Sequence, residues 1–592
     1  MDNQLSSALI SIMKNIRIYS RYFHSHPIRM KLQVLLSCIF LVLLTLLIGT
    51  NSGALTSFPK GYDAMGHMAL SQIIKDNFPN VLWNPYWDEG TPLFYRNYAP
   101  LYHFLVGLSA RAFNLGIVPV TFWVLTGSLV LTALSIFGIV YYLSNWSNLA
   151  NLTNRLFPGL FAAMLFLASS TLWYSIVVNG LYVRILTMGV LGFALLSLVA
   201  YLEKTNWTNL SNLTNWKYYA VIFSFTLAFL THFLAIVLLV LSAFVLILLQ
   251  EKNLRKVFGR LWVIFLPVLG LVSFYYLPAV LGHSGGFSLL GEFGGHEYEP
   301  VAFLSLFRQG YPGLPFLSLP LGLVLFVLIF LLRFKLKGEP RKTYKYFLSF
   351  GLLSAFCLLY VLGAYKLFFS GIYPDHFLLP TVFFLAIFLG LGMGFLIHFE
   401  ILRPYLIMVL LIGLLAVGLQ QASQTKKLMS DQSGSYPAIN FKGVDEEKNF
   451  RFAHREEALG GAFNFYSDTL QTGGYYGQGI LNPDFHWWFE EGVFNTLDNP
   501  EETRFLLDWF GARDLYLSVR PTKTGLRANA ASVKFRPPDF EQKVTVEFQK
   551  ASPVLLATNA PVILRQSTGR TYQQFLMEIA KEGLDSRVLI PV

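Results

Sequence analysis

Long apolar runs set the tightest limit on what this chain can become. Residues 233–250 read FLAIVLLVLSAFVLILLQ without one charge, and stretches of similar length recur through the first 421 residues. The hydrocarbon core of a bilayer, about 30 Å thick, takes roughly 20 apolar residues in a helix, because only closed backbone hydrogen bonding is tolerated there. Composition agrees: 54% of the 592 residues are hydrophobic and 13% charged, about half the roughly 25% charge of a soluble domain. A polytopic α-helical membrane protein is therefore expected, not the four or so soluble domains that length alone suggests. Eleven transmembrane helices are predicted, at 32–50, 119–143, 156–176, 183–202, 218–231, 233–250, 261–281, 316–332, 346–364, 377–398 and 404–421. The first follows a polar, basic segment and has no small-residue cleavage site, so it reads as a retained anchor.

Lysines and arginines orient the bundle, since positive residues are held on the cytoplasmic side of short loops. With residues 1–31 as a cytoplasmic N-terminal segment, 19 of the 26 Lys and Arg in residues 1–421 fall inside and 7 outside. A twelfth span at 98–114 would export the basic loops, so that stretch is read as a juxtamembrane helix. The net charge of +11 belongs wholly to the membrane part, because residues 422–592 hold 19 basic and 21 acidic side chains. It gives no indication of nucleic acid. Beyond 421 the chain turns polar, aromatic and Gly/Asn-rich, with strand-like pieces such as VTVEF and PVLLAT. A segment of this length can bury its own core, and an extracytoplasmic α+β domain is expected over 422–592, following a transmembrane domain at 32–421. The whole reads as an integral protein of the inner or plasma membrane with a cytoplasmic N-terminus.

Cys38 and Cys357 both lie in apolar runs, which leaves no disulfide framework and no Cys-based metal site. One repeat is visible, Asn145–Asn154 (NWSNLANLTN) against Asn206–Asn215 (NWTNLSNLTN). Both copies fall in loops placed inside, so they read as loop padding and not as glycan acceptors.

The first external loop, 51–118, is long and rich in aromatic and acidic residues, and loops of that length are commonly functional. It opens with Gly61-Tyr62-Asp63-Ala64-Met65-Gly66-His67. On a helix from about 63 to 77, Asp63 and His67 project from one face. A carboxylate there can take a proton from a hydroxyl or hold a cation, and an imidazole can ligate, donate or orient. Asp63 also occupies the helix N-cap position, where a purely structural role is the simpler account. Next come Trp83-Asn84-Pro85-Tyr86-Trp87-Asp88-Glu89 and Thr91-Pro92-Leu93-Phe94-Tyr95-Arg96. Trp and Tyr suit both the headgroup zone and the face of a sugar, and either use fits these clusters. Asp88 and Glu89 suit a cation or sugar hydroxyls, Tyr95 a sugar face, and Arg96 a phosphate; solvated loop charge is the plain alternative.

Further polar residues fall at outer helix ends: Asn179 and Arg184 between spans three and four, His232 in the Leu-Thr-His-Phe turn, and His376 in Tyr373-Pro374-Asp375-His376. Ionisable groups near membrane depth suggest function, although a capping role would also account for His232. The 282–315 loop contains Gly-Gly-His-Glu, whose spacing does not match a zinc-protease helix. The basic inner loops carry no Walker-type phosphate loop. Loops distant in sequence thus bring their polar residues to one face.

The pattern Gly-Tyr-Asp-x3-His, Trp-Asn-Pro-x-Trp, Gly-x-Pro-Leu-Phe-Tyr and Tyr-x-Pro-Leu-Tyr over residues 61–105 resembles the membrane proteins labelled "6-pyruvoyl-tetrahydropterin synthase-related", which look like GT-C glycosyltransferases. Leu-Thr-His near 232 and the Phe505–Arg513 stretch (FLLDWFGAR) extend the likeness. The resemblance implies an inverting hexosyl- or pentosyltransferase. It would move a sugar from a polyprenyl-phosphate donor to a glycan, lipid or protein acceptor at the outer face. Asp63 would be the general base, with His67 beside it. Relatives often carry a carboxylate pair where this chain has Asp63 and His67, and Arg before a late span where it has His376. That leaves open whether Asp63 and His67 hold a divalent cation (Mg or Mn). Donor phosphate would then fall to Arg96, Arg184 or His376. A transporter or lipid flippase would also need many spans, but no charge near mid-span and no inverted repeat is evident. A non-catalytic envelope scaffold is the third reading.

Overall fold

The computed structural model describes residues 27–56, 58–59, 61, 63–81, 83–87, 91–92, 99–144, 153–203, 216–251, 253–281, 326–330, 339–364, 366, 374–398 and 404–431; beyond these it describes 451–453, 461, 464–465, 468, 470–473, 489, 512–516, 519–522, 525–528 and 543–545. The elements in chain order are α1 (Pro27–Asn51), α2 (Ala64–Asn77), the paired β1 (Trp83–Asn84) and β2 (Thr91–Pro92), α3 (Leu101–Ala112), α4 (Ile117–Leu143), α5 (Thr153–Leu167), α6 (Ser170–Val177), α7 (Tyr182–Leu202), α8 (Trp216–Phe229), α9 (Phe233–Gln250), α10 (Leu254–Leu281), α11 (Glu339–Leu359), α12 (Leu378–His398) and α13 (Pro404–Asp431).

Seven helices are long and apolar enough to cross a membrane, at Lys31–Asn51, Ile117–Leu143, Tyr182–Leu202, Phe233–Gln250, Leu254–Leu277, Pro340–Ala364 and Leu378–Ile397. Each coincides with a predicted span. The third expected span is a broken one: Leu156–Leu167 and Ser170–Val177 meet at 42°. At the break the Leu167 carbonyl, left without a helical donor, accepts Trp173 Nε1–H at 2.7 Å, so the bend leaves that carbonyl satisfied. The expected fifth span, 218–231, is the 14-residue helix α8, which ends at the Thr231–His232 turn. At the end of the expected transmembrane domain, α13 runs past 421 to Asp431; Gln and Lys propagate a helix as well as Leu does. The short 98–114 helix stands as expected, as the 12-residue α3. The predicted span at 316–332 lies outside the described residues except for 326–330.

The bundle is organised around α7 and α12, whose apolar windows are almost wholly buried. Helix α4 packs against α7, α5 and α1, and α12 against α5 and α11. Small residues allow the close approach, as at Gly192, where a Cβ would lie 2.7 Å from Ser135 Cβ. The peripheral helices are apolar on their outer faces too: Leu32, Leu35, Leu36, Phe40 and Leu43 on α1 and Trp262, Leu266 and Phe274 on α10 are exposed. Patches this large occur where lipid replaces water, and the chain is an integral membrane protein.

Helices α2 and α3 form a lid of polypeptide at one end of the bundle. They pack on each other and on the end of α10 through a separate apolar cluster of Leu70, Ile73, Ile74, Val81, Trp87 and Tyr275. Arg111 donates to the Lys75 carbonyl at 2.8 Å, closing the end of α2. Among the described residues after 431, β3 (Arg451–Ala453) pairs parallel with β4 (Ala512–Tyr516), which pairs antiparallel with β7 (Lys543–Thr545). A hairpin joins β5 (Val519–Thr522) to β6 (Gly525–Ala528).

Candidate active site

Five helices turn their N-termini toward the lid end, and the candidate residues sit on them. Asp63 is the N-cap residue of α2, His103 lies in the first turn of α3, Arg184 in the first turn of α7, His232 is the N-cap residue of α9, and His376 precedes α12. Exposed N–H groups and the helix dipole make such ends favourable to negative charge.

Backbone contact fixes Asp63. Its N–H donates to the Asn179 carbonyl at 2.9 Å, tying the start of α2 to the turn between α6 and α7. The approach requires two glycines. Gly61 has φ +113°, and a Cβ there would lie 2.3 Å from Gly180 N; Gly180 has φ +69°, and its Cβ would lie 2.6 Å from Ala64 N. Both the left-handed backbone and the space exclude other residues. The half-buried Asp63 carboxylate makes no cap hydrogen bond to its own helix, so the position is that of a cap but the chemistry is not.

His67 is buried at 1% exposure, one turn along α2, with Nδ1 3.1 Å from His103 Nε2. Its ring also lies against Tyr102, with centroids 5.8 Å apart. Arg184 is 7% exposed and donates through Nη2 to His376 Nε2. His376 in turn lies edge-on to His232, with ring centroids 6.3 Å apart. The His67 ring feels the fields of His103, His232 and Arg184. Asp63, His67, Arg184, His232 and His376 are thus gathered from four separate regions of sequence.

Burial keeps the imidazoles neutral. It holds His67 well below the usual value of 6.5, with His103, His232 and Arg184 acting in the same direction. Burial lowers His103 to about 3, partly opposed by a hydrogen bond to the Ala99 carbonyl. Burial and then Arg184 lower His232 to about 3, and burial, Arg184 and His232 hold His376 low. Hydrogen-bond partners then assign the tautomers. His232 Nδ1 accepts the Leu234 N–H at 3.0 Å, so its proton is on Nε2. An arginine can only donate, so His376 carries its proton on Nδ1. His232 therefore both caps α9 and offers an N–H donor.

Among the carboxylates whose side chains are described, none lies within ion-pair distance of Arg184; the ion pair found among them joins Arg260 to Glu251. Among the described side chains, Arg184 Nε is buried with no hydrogen-bond partner. Nor do three His, Cys, Asp or Glu side chains among the described residues converge as a metal shell; Asp63 and His67 would supply two ligands.

Asp88, Glu89, Tyr95 and Arg96 lie outside the described residues, as does the 282–315 loop. Of the loop aromatics read as membrane anchors or sugar platforms, Trp83 is exposed but Trp87 is neither. It is fully buried and donates from Nε1 to Asn464 Oδ1 at 2.6 Å. Asn464 also accepts from Gln471 Nε2, and Gln471 N–H donates to the Tyr86 carbonyl at 2.8 Å. Burial and the Asp468 carboxylate raise Tyr86 to about 12. Gly461 lies over the first turn of α2, where a Cβ would be 2.8 Å from Gly66 N. Gly461, Asn464 and Gln471 thus brace the helix that carries Asp63 and His67 and the loop that follows it. Sequence reasoning missed these residues and His103. The brace joins positions far apart in sequence, which no local pattern announces. His103, by contrast, is a lone imidazole in an apolar juxtamembrane helix and was open to notice.

No protein-family model and no curated protein matches the chain. Solved structures do. The oligosaccharyltransferase of Archaeoglobus fulgidus in its apo form superposes with TM-score 0.52 at 10% identity, over 85% of this chain and 75% of that one. The same enzyme tethered to an acceptor peptide containing the NVT sequon gives 0.51 at 11%, over 84% and 75%. ArnT from Cupriavidus metallidurans bound to undecaprenyl phosphate gives 0.45 at 12%, over 73% and 85%. The chain is similar in fold to the archaeal oligosaccharyltransferase.

Proposed function

We propose that this protein is a membrane glycosyltransferase of the GT-C type, transferring a sugar from a polyprenyl-phosphate-linked donor to an acceptor hydroxyl or amide at the outer face of the membrane. The observation that carries this reading is the buried Arg184 guanidinium. It sits at converging helix N-termini, no carboxylate whose side chain is described pairs with it, and a neutral His376 holds it in place. A buried charge without a counter-ion is unfavourable by several kcal/mol, and a lipid-linked phosphate at headgroup depth is an anion of the right size and location. The likeness in fold to an oligosaccharyltransferase and the resemblance of residues 61–105 to GT-C proteins support the same reading.

In the proposed reaction the phosphate of the donor binds between Arg184 and the Nε2–H of His232. As the bond from the sugar carbon to the phosphate oxygen breaks, negative charge grows on that oxygen, and both donors strengthen their hold on it. Asp63 accepts the proton of the attacking group on the opposite side, giving inversion at the sugar carbon. A divalent cation, Mg or Mn, held by Asp63 and His67 would lie on the side of the attacking group and lower the cost of its deprotonation; chelation of the purified protein reads its share. The acceptor is proposed as a glycan, lipid or protein.

The test is turnover. The protein is reconstituted in vesicles with a panel of polyprenyl-phosphate sugars labelled in the sugar, and free polyprenyl phosphate is quantified with and without membrane extract as acceptor source. Release that is lost in Asp63→Asn supports the assignment. Transbilayer movement of the intact donor without release would establish a flippase instead.

A further inference from the structure

We propose that His103 is a positioning residue that holds His67 in its Nδ1–H tautomer, so that His67 meets its ligand as an acceptor at Nε2 and not as a proton donor. The Ala99 carbonyl can only accept, and His103 donates to it. The His103 nitrogen facing His67 is Nε2, so the proton given to Ala99 is on Nδ1, one turn back along the chain. A neutral imidazole has one N–H, and His103 Nε2 is therefore a lone pair. At 3.1 Å from it, His67 Nδ1 must be the donor, which leaves the lone pair of His67 on Nε2. Both rings are buried, at 1% and 2% exposure, with centroids 5.3 Å apart and tilted by 44°, so neither can turn over without losing the contact.

The consequence separates roles that the sequence left open. A His67 with Nε2 as acceptor can receive a hydrogen bond from a substrate hydroxyl or ligate a cation. It cannot protonate the departing phosphate, which then depends on Arg184 and His232. This consequence for the reaction rests on the transferase reading above; the tautomer itself does not.

The full-length protein, labelled with ¹⁵N-histidine and held in lipid nanodiscs, reports the tautomers directly through ring nitrogen shifts and two-bond couplings, with His67→Asn and His103→Phe assigning the signals. Both rings are expected as neutral Nδ1–H tautomers at neutral pH. In His103→Phe the His67 preference should be lost, and in His103→Gln, whose Oε1 takes the place of Nε2 as acceptor, it should be retained. A wild-type His67 found cationic, or protonated on Nε2, overturns the proposal. So does a His67 tautomer unchanged in His103→Phe. In the turnover assay His103→Phe should lower kcat by about 10- to 100-fold, the usual effect of removing a partner that orients a functional imidazole, and His103→Gln should recover most of that loss. If the wild type shows no turnover with any donor, the transferase reading fails while the tautomer measurement still decides the role of His103. If His103→Phe does not fold, the wild-type spectrum and the Gln variant suffice.

Discussion

Arg184 is the residue on which the electrostatics turn. On the proposed reading, a guanidinium at 7% exposure beside neutral imidazoles is costly in the unliganded protein, and a bound anion relieves part of that cost. Replacing it with Gln should therefore weaken polyprenyl-phosphate binding by roughly 100-fold, about 3 kcal/mol for a desolvated charge contact, while the apo melting temperature stays level or rises. A parallel fall in melting temperature would mean that Arg184 is structural. Asp63→Asn should cut turnover by about 10²- to 10⁴-fold, the range for a positioned general base, without loss of expression. The buried histidines make a separate prediction about pH. His67 and His103 stay neutral in the folded protein well below 6.5, whereas in the unfolded chain they take up protons near 6.5. Acidification thus favours unfolding: stability should fall below pH 6.5, continuing toward about 3, by about 1.4 kcal/mol per pH unit for each such histidine. Melting curves between pH 7 and 5 measure this, and His103→Gln should flatten the dependence.

At the level of helices and turns, the site depends on two backbone contacts that side chains would block. Gly61→Ala places a methyl 2.3 Å from Gly180 N on a backbone at φ +113°, so α2 must move away from the turn before α7. Turnover should be lost while the protein still inserts in membranes and purifies as a monodisperse particle. Retention of full activity would show that Asp63 need not be fixed by Asn179. Asn464→Ala removes the acceptor for the buried Trp87 indole, at a cost of about 1–3 kcal/mol, read as a lower melting temperature. The spans were legible because apolar length is a local signal: α1, α4, α7, α9, α10, α11 and α12 each follow their run. The broken α5–α6 and the short α8 were less so, since a bend at Ala168–Ser169 depends on what Trp173 can reach. The α2 start was readable from the Asp63–His67 spacing, but its partner Asn179 and its brace at Gly461, Asn464 and Gln471 depend on folding at long range. For the same reason Trp87 was misread, because an aromatic looks alike whether it faces lipid, sugar or a distant Asn.

For the whole molecule, Gly461, Asn464 and Gln471 lie at the same end as Asp63 and Arg184, with Gly66, Trp87 and Tyr86 as their contacts. If that end is the outer face, as the distribution of Lys and Arg implies, a periplasmic or extracellular reporter fused after Asp431 should be active and a cytoplasmic one silent; the reverse pattern would invert the bundle. If the bundle's convergent helix ends hold the phosphate of a lipid-linked sugar donor, an experimentally determined structure of the protein with polyprenyl phosphate should show phosphate oxygens within hydrogen-bond distance of the Arg184 guanidinium and of His232 Nε2, with Asp63 across the space the sugar would fill. A phosphate bound at the opposite end of the bundle, or Arg184 paired with a protein carboxylate in the complex, would contradict it.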